Sequence, residues 1–488
     1  MIVQATISTA TLVGVDAVPV EVQADVSPGL PVFGIVGLAD AAVQEARDRV
    51  RAALRSSGYD FPNARVIVNL APAPLRKHGT GFDLPIALAV LCATRQLPVE
   101  TFREVSAVGE LGLDGTVRAV PGMLAHAIAA SGQGRELLGP AAAADIVGAV
   151  PELRYRPMPS IACAKHGLPA ERGVSSASST ASNPVGIDLS EILGHDSAKR
   201  CLEIAAAGGH NLLLVGPPGS GKTMLARALC GLLPPLTASE RLEAALVHSV
   251  AGRDPLPSLA GVRPLRAPHH SCSIAGLVGG GTPPLPGEIS LAHTGVLFLD
   301  ELPEFGPGAL QALRQPIEEG AVTLVRAFGA VRYPARVTLV GAMNPCPCGY
   351  AGDPERQCSC APTAVARYGN RIGGPLYDRM DISIRVDRID PALLIGRDCA
   401  EGTTAQARER VMSARAYATA RGDCDVRRSL DPRARVLLES AARNMSLSGR
   451  AVTRLVRVAR TIADMDESPL VSDGHVSEAL GYRAWEYR

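Results

Sequence analysis

Residues Gly216, Pro217, Pro218, Gly219, Ser220, Gly221, Lys222 and Thr223 run consecutively and have the composition of a phosphate cradle. Glycines let successive backbone N–H groups curl around phosphate oxygens, and the helix N-terminus behind them adds partial positive charge. Lys222 is the side chain to reach the β- and γ-phosphates of ATP, and the Thr223 hydroxyl is a ligand for Mg²⁺. Such a loop works only between a buried strand and a helix. The apolar run 211–215 supplies the strand, and 224–232 continues as a helix. The bland alternative, a glycine-rich turn before a helix, does not account for Lys222 and Thr223 together.

Two further strand ends carry groups that this chemistry needs. The apolar run 295–299 ends in Asp300 and Glu301. There Asp300 would hold Mg²⁺ through its water shell, and Glu301 would orient and deprotonate the attacking water. The alternative is a simple cap ahead of Leu302 and Pro303. A third run, 337–343, ends at Asn344, an amide able to sense the γ-phosphate.

Four of the eleven cysteines, Cys346, Cys348, Cys358 and Cys360, fall within fifteen residues. Four thiolates on a short loop would make a closed, structural Zn²⁺ site. Each pair is closer than the common C-x₂₋₄-C spacing, so a redox pair or inert thiols remain alternatives. The other cysteines, including Cys399 and Cys424, read as small apolar residues.

A chain of 488 residues is too long for one core. The expected fold class is α/β throughout, in a smaller N-terminal domain (1–165), a P-loop core with a parallel sheet (188–390) and a C-terminal helical domain (391–488). Residues 166–187, Ser-rich over 173–184, read as a linker. In the N-terminal part, 11–26 reads as strands turning near Gly14, 40–56 and 82–91 as helices, and 65–70 as a strand. The start of the sequence lacks the pattern of a signal peptide, and no apolar run reaches membrane-spanning length, so the expected location is the cytoplasm and no membrane partner is expected. Net charge is only +1, so nucleic-acid binding would need a local basic patch. Aromatics are 3%, too few for stacking on bases to dominate binding.

The order of these pieces resembles the AAA+ ATPases. The segments 263–270, 277–281, 286–293 and 344–349 resemble the magnesium-chelatase-like branch and, within it, the ComM/YifB family. The likeness covers essentially the whole chain. It implies that Asn344 is sensor 1, that Arg379 in 374–381 is an arginine finger, and that Arg450 is sensor 2. The alternatives are a salt bridge of Arg379 to Asp378 or Asp381, and a solvated helix position for Arg450. A finger supplied in trans implies a homo-hexameric ring.

The N-terminal part resembles the domain that this family shares with the Lon proteases, of ribosomal-S5 type. Residues 77–85 fall where the serine loop would be but offer Gly81 in its place, and 115–125 contains no lysine. Without nucleophile or base no acyl-enzyme forms, so proteolysis is not expected. His269 and His270 are expected on an inserted loop facing the ring pore.

The resemblance also implies DNA, single-stranded or branched, as the substrate of a helicase acting in DNA uptake. Arg326, Arg332 and Arg336 flank an expected hairpin. Arg408, Arg410, Arg415, Arg421, Arg427, Arg428, Arg433 and Arg435 crowd the start of the helical domain and could contact phosphates or form a solvated face. A chelatase-type motor that remodels a protein, and an ATP-gated scaffold, remain open; ATPase stimulation by DNA separates them from a DNA motor.

Overall fold

The structure is a computed structural model that describes residues 3–172, 186–326, 329–389, 403–422 and 429–483. The Ser-rich segment 173–184, Cys399, Cys424, Arg427 and Arg428 lie outside the described residues.

Alternating apolar residues near the N-terminus form a long hairpin. Its strands, Val3–Val13 and Asp16–Ser27, turn at Gly14, whose φ of 68° suits a residue without Cβ. This hairpin is the centre of a seven-stranded mixed sheet. Strands Val32–Val36 and Arg65–Ala71 extend it on one side, and Val105–Ala107, Glu136–Pro140 and Tyr155–Met158 on the other. The expected helices are present as Ala41–Ser56, capped by Asp40, and Asp83–Ala93, buried along its whole length. Sequence patterning missed the strand Val32–Val36 and the three strands after residue 100, which are short and lack clear alternation.

The second sheet is wholly parallel. Its order across the sheet is Leu265–Arg266, Val296–Leu299, Thr338–Met343, Leu212–Val215, Ile382–Arg385. Every strand is short, and the three in the middle are almost wholly apolar because both faces are covered. Leu212 and Leu214 point into a core shared with the helices Asp196–Gly208, Lys222–Leu232 and Gly449–Met465. Leu213 and Val215 point into the opposite core with Leu302, Phe305 and Met380. The carboxyl ends of Val296–Leu299, Thr338–Met343 and Leu212–Val215 therefore open on one edge, where α/β sheets hold ligands.

Beyond the sheet, four helices follow among the described residues: Thr404–Arg421, Pro432–Asn444, Gly449–Met465 and Asp473–Gly481. They share a core with the parallel sheet, through Val411, Leu455, Ala459 and Val476.

The two sheets are joined by packing. The helix Met123–Gly132 lies against Ala238–Val250, and Gly122 N donates to Ser249 O at 2.8 Å. The hairpin Ala321–Arg326/Gly329–Pro334, as expected just before the Asn344 strand, turns Val331 and Tyr333 inward against Leu12, Val13 and Val15. No described helix is long and apolar enough to cross a membrane.

Candidate active site

Lys222 opens the helix Lys222–Leu232, directly after Gly221 at φ 84°. Its ammonium is buried and lies 2.7 Å from Gly216 O, 2.8 Å from Pro217 O and 3.4 Å from Asn344 Oδ1. Burial lowers its pKa, with the Asp300 charge opposing the shift. These carbonyls hold the cation inside the loop, where a phosphate would replace them as partner. Ser220 Oγ is buried there without a hydrogen-bond partner.

The neighbouring strand ends converge on the same loop. Thr223 Oγ1 donates to Asp300 Oδ2 at 3.1 Å, so the two expected Mg²⁺ ligands already touch. Glu301 N donates to Asp300 Oδ1 at 2.9 Å, and Glu301 itself is left-handed at φ 51°. A non-glycine residue in that region is strained, and such strain clusters at functional sites. Asn344 completes the group at the end of Thr338–Met343. Lysine, hydroxyl, two carboxylates and an amide thus meet on one edge, a set able to hold a triphosphate with a hydrated divalent cation and to activate water.

The loop of His269 and His270, expected to face a ring pore, reaches the acidic strand end. His270 Nδ1 lies 3.1 Å from Glu301 Oε2, and the His269 ring packs on His270 with centroids 4.0 Å apart. The strand Leu265–Arg266 beside Val296–Leu299 delivers the loop to the carboxylate, which offers the imidazole a partner.

Arg379 and Arg450 are not at this edge. Arg379 precedes Ile382–Arg385, at the opposite, amino-terminal edge of the sheet. Asn211 fixes its backbone, with Nδ2 donating to Arg379 O at 3.0 Å and Oδ1 accepting from Leu339 N at 2.9 Å. The Arg379 guanidinium pairs with Glu318 at 2.5 Å. Asp381 is buried, its pKa raised by desolvation, and accepts from Asn211 N. Arg450, exposed at the start of Gly449–Met465, lines the same surface cavity as Arg379, about 570 Å³ in volume. Neither arginine shares an edge with Lys222 of its own chain.

The cysteine cluster sits on the phosphate loop. The sulfurs of Cys346, Cys348, Cys358 and Cys360 all lie within 4.8 Å of one another. Those of Cys346, Cys348 and Cys358 are 3.3–3.6 Å apart. Tetrahedral Zn–S bonds of about 2.3 Å put sulfurs roughly 3.8 Å apart, so the donor set fits zinc. Ala351 N and Cys360 N point at Cys346 and Cys358 sulfur, 3.3 and 3.4 Å away. Gly349 packs so closely on Pro218 that a Cβ would come within 2.6 Å of it.

Among the described residues, five of the nine arginines expected to face phosphates are occupied within the fold. Arg410 forms a bidentate pair with Glu203, Arg415 donates to Ala206 O, Arg421 pairs with Asp464, and Arg408 donates to Leu233 O. The bonds of Arg408, Arg410 and Arg415 pin Thr404–Arg421 to the ATPase core, and that of Arg421 ties it to Gly449–Met465. Arg336 pairs with Glu243. Arg326, Arg332, Arg433 and Arg435 remain exposed.

Sequence reasoning missed Asn211, Glu318 and His195. His195 Nε2 is buried without a partner close to Gly221, and burial lowers its pKa. None carries a spacing signal, since their partners are distant in the chain.

A phosphate loop, an acidic strand end and a polar strand end on one edge of a parallel sheet define a P-loop ATPase core of AAA+ type. Residues 188–394 match the family model described as magnesium chelatase, subunit ChlI, and 401–483 match its C-terminal model. The chain is similar over nearly its full length to the uncharacterized protein YifB of Escherichia coli (42% identity, 98% of this chain and 96% of the relative). It is equally similar to the competence protein ComM of Haemophilus influenzae (42%, covering 96% of each). An uncharacterized protein of Mycobacterium tuberculosis is 40% identical, again over 96% of each. The chain belongs to the ComM/YifB family of magnesium-chelatase-like AAA+ ATPases. Residues 22–143 match a model described as subunit ChlI of Mg-chelatase, so the N-terminal part does not by itself separate this chain from chelatase motors.

Proposed function

We propose that this protein is a cytoplasmic, ATP-hydrolysing ring motor that acts on single-stranded or branched DNA as a helicase or branch-migration factor. The observation that carries the motor reading is the division of charged groups between the two edges of the parallel sheet. Lys222, Thr223, Asp300, Glu301 and Asn344 occupy one edge, and Arg379 with Arg450 the other.

In this reading the loop 216–223 binds ATP. Lys222 exchanges its carbonyl partners for phosphate, and Thr223 and Asp300 hold Mg²⁺, whose charge offsets that developing on the phosphoryl oxygens. Glu301 positions water and takes its proton at a carboxylate oxygen. His270 holds that oxygen in the resting chain and must release it for full turnover. Asn344 ties the γ-phosphate to the neighbouring strand.

Arg379 and Arg450 complete the site of the next subunit. A guanidinium on the far edge cannot reach its own ATP, and a head-to-tail contact repeated by rotation closes a ring, a hexamer in the family reading. Glu318 holds Arg379 in place until that contact forms. Residues 1–165 form a Lon-like domain of ribosomal-S5 type that serves as scaffold or binding module, without proteolysis. Residues 166–187 form the linker, 188–390 the ATPase core and 391–488 a helical lid. The four cysteines bind one structural Zn²⁺ beside the phosphate loop.

DNA is supported by the competence protein ComM among the relatives and by exposed Arg326 and Arg332 on the hairpin. Remodelling of a protein partner is the second reading, favoured by the chelatase model over 188–394 and by the internal pairing of most helical-domain arginines. The ATPase rate measured with and without forked DNA at low salt separates them. Stimulation supports the DNA motor, and an unchanged rate favours protein remodelling.

A further inference from the structure

The contact between the two sheets encloses a cavity of about 330 Å³. Leu12, Thr80 and His126 line it from the N-terminal side, and Val250, Val331 and Tyr333 from the ATPase side. Close-packed interiors hold few voids larger than a water molecule, and about 300 Å³ is where ligand pockets begin. The walls are mostly apolar.

Thr11, Arg76, His78, Thr80 and His126 are the polar residues of that lining besides Tyr333. His126, on the helix Met123–Gly132, is 7% exposed. Its ring nitrogens make no hydrogen bond with any described residue. Burial pushes its pKa down to about 4, so the ring is neutral near pH 7 and offers one donor and one acceptor. The other histidine of the cavity, His78, faces Asp40 at 3.5 Å. A polar ring opening on a mostly apolar cavity gives a ligand with one polar end a hydrogen-bonding partner.

We propose that this cavity binds a small uncharged amphiphile, with an apolar body between the two modules and one hydrogen-bonding end on His126. Charge is disfavoured because the walls are mostly apolar, the imidazole is neutral, and the lining Arg76 and His78 already have partners. The occupant would bear on the hairpin strand Gly329–Pro334. Val331 and Tyr333 line the cavity, and Val331 already presses on the turn at Gly14, where a Cβ would come within 2.8 Å of it. Tyr333 is tied by its hydroxyl to Pro284 O at 2.8 Å. Filling the cavity therefore clamps the outward-facing Arg332 to the N-terminal sheet, whatever the motor acts on.

The probe is the neutral fluorophore N-phenyl-1-naphthylamine, an aromatic body with one N–H, titrated into the full chain. Expected are a saturable blue-shifted emission with one site per chain and slower amide hydrogen exchange in residues 329–334. Ala251→Trp places an indole in the cavity from a half-buried position and should weaken binding by ~10-fold or more. His126→Leu keeps the apolar volume, removes the polar partner and should weaken it about 10-fold. Should Ala251→Trp fail to fold, His126→Leu and the exchange footprint decide. Absence of saturable emission from the wild type overturns the proposal. So does unchanged affinity in His126→Leu, or a footprint that spares 329–334.

Discussion

The two edges of the parallel sheet differ in how their charges are satisfied. At the carboxyl edge the charged groups have partners within the set: Lys222 on loop carbonyls and Asn344, Asp300 on Thr223, Glu301 on His270. At the amino edge Arg379 leans on the half-exposed Glu318, and Arg450 reaches solvent. The first edge holds the phosphate loop and the carboxylates. The second holds Arg379 and Arg450 and no phosphate loop. In the proposed ring, the amino edge is the interface and the carboxyl edge what it meets.

The largest expected effects test that division directly. Lys222→Ala should abolish nucleotide binding, read by fluorescent ATP titration. Glu301→Gln should still bind but lose turnover by at least ~10²-fold, because it removes the base and keeps the phosphate grip. Arg379→Ala should bind ATP normally and lose ~10³-fold in turnover. Mixed with Lys222→Ala it should recover part of the activity, since each variant supplies what the other lacks. A dead mixture in which mixed rings demonstrably form would return Arg379 to a structural role with Glu318.

The cysteine cluster sets a smaller effect. Metal analysis of protein purified without chelators should find about one zinc per chain. Replacing Cys358 and Cys360 by Ser should lower thermal stability and raise the KM for ATP, because the loop behind Gly349 supports Pro218. Zinc-free wild type with unaltered KM would break that link.

His270 should give a change of only a few-fold. His270→Ala frees one oxygen of Glu301 and should raise basal turnover in the absence of DNA, measured by phosphate release. A fall in turnover would instead make His270 a helper that orients the carboxylate.

What was legible in the sequence follows from the range of the interactions. The phosphate loop, the Asp300-Glu301 strand end and the four cysteines are local patterns, and the structure brings the members of each together. The role of Thr404–Arg421 was not legible. Its arginines look like a phosphate-binding face, yet Glu203, Ala206 and Asp464, which engage them, lie on helices far away in sequence or past the next turn of chain. The contact of His270 with Glu301 was not legible for the same reason, since loop position alone does not reveal which carboxylate the loop will meet.

The smallest effects separate structural arginines from those free to bind phosphate. Arg415 is deeply packed, donates to Ala206 O at 2.7 Å, and has its pKa lowered by burial. Arg332 is exposed on the strand Gly329–Pro334, between the inward-facing Val331 and Tyr333. Arg415→Ala removes a buried hydrogen bond and its packing, so it should destabilise the chain by ~1–2 kcal/mol and leave the salt slope of DNA binding unchanged. Arg332→Ala should leave the melting temperature unchanged, weaken DNA binding, and reduce the slope of log affinity against log salt by about 1. The two slopes are read from fluorescence anisotropy with single-stranded DNA over a salt series. If Arg415→Ala shifts the slope and Arg332→Ala does not, the DNA-facing surface lies on the helices rather than on the hairpin.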